Sequence, residues 1–63
     1  MSNDKDLLTP EEAAHRLSIG RTKVYELMDA GDLPSIKIDR CRRIPASAIP
    51  AFIARKLEEA AHA

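Results

Sequence analysis

The stretch LTPEEAAHRLSIGRTKVYELMDAG, residues 8–31, decides the fold of this chain. It contains two amphipathic segments separated by Ser18-Ile19-Gly20, which is long enough only for a tight connection between two helices. The spacing of apolar residues predicts one helix over about Pro10 to Leu17 and a second over about Arg21 to Ala30. Two helices joined in this way cross at a steep angle, which predicts a helix-turn-helix.

Capping residues mark the outer ends of this helix pair. Thr9 as the cap, Pro10 at the first helical position and Glu12 three residues after the cap match a capping box. Gly31 follows the second helix, where a left-handed C-cap favours glycine. The predicted buried stripe of the second helix consists of Val24, Leu27 and Met28.

A short hairpin is predicted after the second helix. Residues 35–38 alternate polar and apolar side chains, as a half-buried strand does, and residues 42–44 return as its partner after Asp39-Arg40-Cys41. We expect the isoleucines of the hairpin to share its core side: Ile36, Ile38 and Ile44. Lys37 and Arg43 are then expected on the opposite face.

A last helix is predicted over about Ala48 to Ala60, with Ser47 as its cap. Pro50 is compatible with this helix because it falls at the third helical position, where the backbone N–H has no intrahelical partner. The expected apolar face of this helix consists of Ile49, Phe52, Ile53 and Leu57.

The order α-α-β-β-α predicts a mainly α fold with a small β-hairpin, a winged helix-turn-helix. We expect a flexible N-terminal arm over residues 1–8 and one domain over residues 9–61. A core this small leaves little room for a substrate pocket, and no paired-carboxylate, Cys/His or Ser/His set indicates an enzyme. One cysteine and two distant histidines indicate no metal site, and no cofactor is expected.

The net charge of the chain is zero, but its charges are unevenly distributed. Residues 36–45 carry four cations and one acid, whereas most acids lie near the two ends. A neutral total with a basic centre is typical of a small DNA-binding protein with one binding face. The chain has no apolar run long enough to span a membrane and no signal-peptide pattern, so we expect a cytoplasmic protein.

The outer face of the second helix is the predicted major-groove element for double-stranded DNA. Arg21 is the first choice for a base contact, because its guanidinium can donate two hydrogen bonds to a guanine. Thr22 is expected at a thymine methyl or a phosphate, and Lys23 and Tyr25 at phosphates. Tyr25 has an alternative interpretation as a core residue with its hydroxyl at the edge.

The hairpin is the second predicted DNA contact, at the minor groove or the phosphates. Arg40 lies nearest its tip, where an arginine can enter the minor groove. Lys37, Arg42 and Arg43 are expected along the phosphates. Arg16, late in the first helix, is interpreted either as a phosphate contact or as a solvated charge.

These motifs together resemble the excisionase-type DNA-binding proteins, whose winged helix is related to that of the MerR regulators. The resemblance covers residues 7–53, about three-quarters of the chain. The matching residues are Leu8, Thr9, Glu12 and Ala14; Val24 and Tyr25; Gly31, Leu33 and Pro34; Arg43, Ile44 and Pro45; Ser47 and Ala48. The chain departs from the family pattern at Asp39, where glycine is usual, and at Arg42, where an aromatic residue is frequent.

The resemblance implies a recombination directionality factor. Such a protein binds and bends DNA near the attachment site of a phage or mobile element and biases an integrase toward excision. We expect a monomer in solution, with several copies side by side on repeated DNA sites. The alternatives are a small MerR-like transcriptional regulator and, from another class, a protein-interaction module in which the basic hairpin is incidental.

Overall fold

The computed structural model describes residues 6–62. Its elements are β1 (Leu7–Leu8), α1 (Pro10–Leu17), α2 (Arg21–Ala30), β2 (Ile36–Ile38), β3 (Cys41–Pro45) and α3 (Ala48–Ala61). Three helices and a small antiparallel sheet confirm the predicted mainly α, winged helix-turn-helix fold. Within residues 6–62, no helix has both the length and the apolar character needed to cross a membrane.

The helix pair has the predicted bounds because its ends are fixed locally. The N–H of Glu12 donates to Thr9 Oγ1 at 3.1 Å, and the N–H of Thr9 donates to Glu12 Oε1 at 2.9 Å. This is the capping box predicted for α1. Ser18 ends α1 in the left-handed conformation with φ of 57°, and Gly31 ends α2 with φ of 83°.

The N-terminal segment joins the sheet, which corrects one prediction. Residues 1–5 of the predicted flexible arm lie outside the described residues. Leu7–Leu8, however, form a strand antiparallel to β3, and Leu8 is buried opposite Ile44. The arm prediction is therefore wrong at its last two residues, because Leu8 belongs to the core. The sheet order is β1-β3-β2, which leaves β2 at an edge.

The register of the hairpin also corrects a prediction. Ile36 pairs with Arg43, Lys37 with Arg42 and Ile38 with Cys41, so only Asp39 and Arg40 form the turn. Directly opposed residues share a face, and a register shift of one residue exchanges the faces.

The two sides of the hairpin therefore differ from those expected. Ile36 and Ile38 share the outer face with Arg43 and are 45% and 48% exposed, whereas Ile44 is fully buried on the other face. Lys37 lies on the face of Ile44, away from Arg43, so the expectation that Lys37 and Arg43 share a face is wrong.

The core is built from short apolar segments of every element except β2, together with the loop residue Leu33. Its buried members are Leu8, Ala13, Ala14, Val24, Met28, Leu33, Ile44, Ala48 and Ile49. Helix α3 contributes only its first turns to this core. Ile53 and Leu57 are 42% and 67% exposed, so the predicted apolar face of α3 is buried only at its N-terminal end. The reason is the length of α3, because a helix of 14 residues is about 21 Å long and extends beyond the small core on which its first turns pack.

Helix α3 starts at the predicted residue, but the side chain of its N-cap residue does not form a capping hydrogen bond. Ser47 is the N-cap residue and Pro50 occupies the third helical position, as predicted. Ser47 has right-handed helical angles, and its side chain makes no capping hydrogen bond.

Candidate nucleic-acid interface

Helix α2 presents a polar outer face because its apolar stripe fixes its orientation. Val24 and Met28 are buried, which leaves Arg21, Thr22 and Lys23 in the exposed first turn. Gly20 is the N-cap residue, and no side chain caps this turn. The N-terminal N–H groups of α2 therefore lie beside the predicted base-contacting residues, an arrangement suited to binding phosphate.

Arg21 is held by a carboxylate of α1. Its Nη1 donates to Glu11 Oε2 at 3.0 Å, and both side chains are more than half exposed. A backbone hydrogen bond to Glu11 lowers the pKa of this carboxyl group, and the hydrogen bond from Arg21 and the charges of Arg21 and Arg43 lower it further. Glu11 therefore stays ionised at neutral pH and forms a charge-assisted pair with the first residue of α2.

Tyr25 lies one turn further along the outer face of α2. It is 36% exposed, so part of its side chain is accessible. The ring borders a groove of about 430 Å³ whose opposite wall is the hairpin. The groove is lined by Thr9, Pro10, Glu11, Tyr25, Arg40, Cys41, Arg42 and Arg43. Tyr25 of α2, the start of α1 and the basic hairpin therefore border one groove, which Arg21, Thr22 and Lys23 do not line.

The hairpin tip is an exposed basic part of this surface. Asp39 adopts the left-handed conformation with φ of 56°, which lets a two-residue turn join β2 to β3. Arg40 follows it and is exposed. Within residues 6–62, Arg40 and Lys37 have no hydrogen bond or ion pair to a side chain. A second groove of about 540 Å³ runs along this hairpin and is lined by Ser35, Ile36, Lys37, Arg40 and Arg42.

Arg42 connects the hairpin to α2 instead of extending into solvent. Its Nη1 lies 3.3 Å from Asp29 Oδ1, and its Nη2 lies 3.4 Å from Ser35 Oγ. Arg43 is half-buried, and its Nη1 donates to the carbonyl oxygen of Arg42 at 2.9 Å. These two arginines are more constrained than Arg40.

The two remaining predicted DNA contacts, Lys23 and Arg16, differ in whether an acidic side chain pairs with them. Lys23 lies 3.6 Å from Glu26, an exposed pair within one turn of α2. Arg16 is exposed near the end of α1 and has no ion pair among the described residues. Arg16 does not line either groove described above.

Two acidic residues at this surface were missed by reasoning from the sequence. Glu11 lies ten residues before Arg21, and Asp29 lies thirteen residues before Arg42. No local spacing rule links residues so far apart. The helix crossing brings the first pair together, and the return of the hairpin toward α2 brings the second.

Comparison with known proteins agrees with this architecture. A family model described as a helix-turn-helix domain matches residues 7–57. The chain is 49% identical over 53 residues to the "Probable excisionase" of Saccharopolyspora erythraea. The aligned residues cover 84% of this chain and 54% of that protein. It is 49% identical over 55 residues to the "Excisionase" of Streptomyces ambofaciens. In this case the aligned residues cover 87% of this chain and 89% of that protein.

The chain thus spans about half the length of the first relative and most of the second. No solved structure matches the chain. The match of the family model extends from β1 into α3 and so includes both helices and the hairpin. The chain belongs to the helix-turn-helix domain family and, within it, to the excisionase-type proteins.

Proposed function

We propose that this chain binds double-stranded DNA as an excisionase, a non-enzymatic accessory protein of site-specific recombination. One observation carries the proposal: Tyr25 of α2 and Arg40 of the basic hairpin line the same groove. A protein surface with this arrangement presents a helix and a hairpin to adjacent parts of a duplex.

In this proposal α2 enters the major groove, where Arg21 contacts a guanine and Thr22 contacts a thymine methyl or a phosphate. Lys23 and Tyr25 bind phosphates beside the uncapped start of α2. Arg16 remains a proposed phosphate contact from the end of α1, where it is exposed and has no ion pair among the described residues.

The hairpin supplies the second contact, with different roles for its cations. Arg40 enters the minor groove or binds its rim, and Lys37 binds a phosphate, since neither is engaged by a described acid. Arg42 and Arg43 line the groove and bind phosphates from more constrained positions. The proposed DNA-binding domain starts at Leu7 instead of residue 9, because β1 is part of the core.

The names of the relatives support the excisionase role over the MerR-like regulator. The proposed partners are therefore an integrase and further copies of this chain on DNA, with no membrane involved and a cytoplasmic location. DNA bending follows from the proposal, because an accessory protein that contacts only a short site acts on recombination by changing the path of the DNA.

A gel-shift titration tests the DNA-binding proposal. The affinities of the wild-type chain, Arg21→Ala and Arg40→Ala are measured on duplexes tiled across the genomic region around the gene. Arg55→Ala is the matched control, because Arg55 is an exposed arginine on α3 that contacts Asp32 and lines neither groove. We expect the first two variants to lose affinity and the control to retain it.

The salt dependence gives an independent measure of the same surface. Neutralising about five phosphates predicts a log–log slope of about −4 to −5, and loss of one phosphate contact should reduce its magnitude by about one. Arg21→Ala removes a base contact, so it should lower the affinity with a smaller change in slope. Salt-insensitive binding that both alanine variants retain would contradict the proposal. Gel mobility that does not vary with the position of the site within a fragment would contradict the bending role.

A further inference from the structure

A carboxylate lies within the basic surface described above. Glu11 is the second residue of α1, and its Oε2 accepts a hydrogen bond from Arg21 Nη1 at 3.0 Å. Its charge also interacts with Arg43 of the hairpin. Glu11 lines the groove that α2 and the hairpin border, so this anion lies between the cations of the two DNA-binding elements.

Glu11 is accessible and keeps its charge. Its side chain is 56% exposed, so a duplex that reaches Arg21 also comes close to this carboxylate. The backbone hydrogen bond and the two arginines that lower its pKa keep it ionised at neutral pH. An ionised carboxylate at the surface repels the phosphates that the surrounding cations attract.

We propose that Glu11 is a specificity-determining residue of the DNA interface, because it occupies Arg21 and competes with DNA phosphates for it. This inference rests on the proposed DNA-binding function and deepens it. It assigns a role in DNA discrimination to an acidic residue that makes no favourable contact with DNA.

The chemistry of phosphates and bases explains how one carboxylate affects them differently. Phosphate contacts supply most of the affinity for DNA of any sequence, whereas contacts to base edges distinguish sequences. A phosphate carries a charge and is repelled by Glu11, but guanine O6 and N7 are neutral acceptors. Only Nη1 of Arg21 is bonded to Glu11, so the other N–H groups of the guanidinium remain available to a guanine.

The test compares Glu11→Gln with Glu59→Gln in the full chain. Glu59 is the matched control because it also pairs with an exposed cation, Lys56 at 3.2 Å, and lines neither groove. Both substitutions remove one negative charge. Affinity is measured on a duplex that footprinting identifies as a specific site and on a duplex of scrambled sequence, over a series of salt concentrations.

We expect Glu11→Gln to bind the scrambled duplex about two- to fivefold more tightly than Glu59→Gln does, the size of one exposed charge pair. The salt slope on that duplex should steepen by about 0.9, as for one additional phosphate contact. The gain on the specific duplex should be smaller, so the ratio of specific to non-specific affinity falls.

A double-mutant cycle tests whether Glu11 acts through Arg21. In an Arg21→Gln background, Glu11→Gln should improve the binding of scrambled DNA by less than it does in the wild-type background, because only the direct repulsion of phosphates by Glu11 is left to remove. An unchanged specificity ratio in Glu11→Gln, or an equal gain with and without Arg21, would overturn the proposal. A wild-type chain that binds neither duplex would overturn the proposed function itself and this inference with it.

Discussion

Leu8 of β1 lies directly opposite Ile44 of β3, and the two side chains are 1% and 0% exposed. This pair attaches the segment before α1 to the strand that carries Arg42 and Arg43. The backbone continues the attachment, since the N–H of Ala46 donates to the carbonyl oxygen of Asp6 at 2.9 Å. The placement of the hairpin beside α2 therefore depends on residues that precede the helix-turn-helix.

Shortening the side chain of Leu8 should destabilise the whole domain. We expect Leu8→Ala to lower the free energy of unfolding by about 2–5 kcal/mol, the usual cost of removing a buried leucine side chain. Chemical denaturation followed by circular dichroism measures the loss. Leu57→Ala is the control, because Leu57 is 67% exposed and its truncation should cost less than about 0.5 kcal/mol. Equal losses in the two variants would show that β1 does not belong to the core.

The turn of the hairpin offers a substitution that should stabilise the protein. Asp39 has φ of 56°, a left-handed conformation that is costly for a residue with a Cβ and free of strain for glycine. Asp39→Gly should therefore raise the free energy of unfolding by about 0.5–1 kcal/mol, measured by thermal denaturation. Asp39→Ala removes the charge but keeps a Cβ, so a gain as large in Ala as in Gly would refute the backbone explanation.

The local parts of the fold could be predicted from the sequence because local rules determine them. The capping box at Thr9, the break after Leu17 and the left-handed Gly31 each depend on residues within a few positions. The bounds of α1 and α2 were correct for this reason. Similarity to excisionases was also predictable, since it depends on the order of several short motifs.

The parts that could not be predicted depend on contacts between distant residues. The pairing of Leu8 with Ile44 and the contact of Glu11 with Arg21 join positions that no sequence period relates. The prediction of the hairpin faces was wrong for a different reason. A turn of two residues instead of three shifts Ile36 opposite Arg43, and this single step moves Ile36 and Ile38 to the outer face.

The corrected register can be tested by making the same substitution on the two faces. Ile38→Thr should change the free energy of unfolding by less than about 0.5 kcal/mol, because Ile38 is 48% exposed. Ile44→Thr should cost about 1–3 kcal/mol, because it places a hydroxyl where the side chain is fully buried. Similar losses at the two positions, measured by urea denaturation, would restore the expectation that both isoleucines face the core.

Glu11 should also leave a signature in the pH dependence of stability. Its pKa in the folded protein is lowered from the ordinary value of 4.5, first by a backbone hydrogen bond and then by Arg21. A group with a lowered folded pKa stabilises the protein above its unfolded pKa, and this contribution disappears as the pH falls through the folded pKa. The contribution should be small because the group is solvent-exposed.

The comparison of wild type with Glu11→Gln isolates this contribution from the other carboxyl groups, which titrate in the same range. Wild type should be the more stable protein at neutral pH, and the difference should shrink below pH 4.5 as Glu11 takes up its proton. Urea denaturation at a series of pH values measures it, with Glu59→Gln as the reference. A difference that stays constant from neutral to acidic pH would mean that the carboxylate charge of Glu11 does not stabilise the link between α1 and α2.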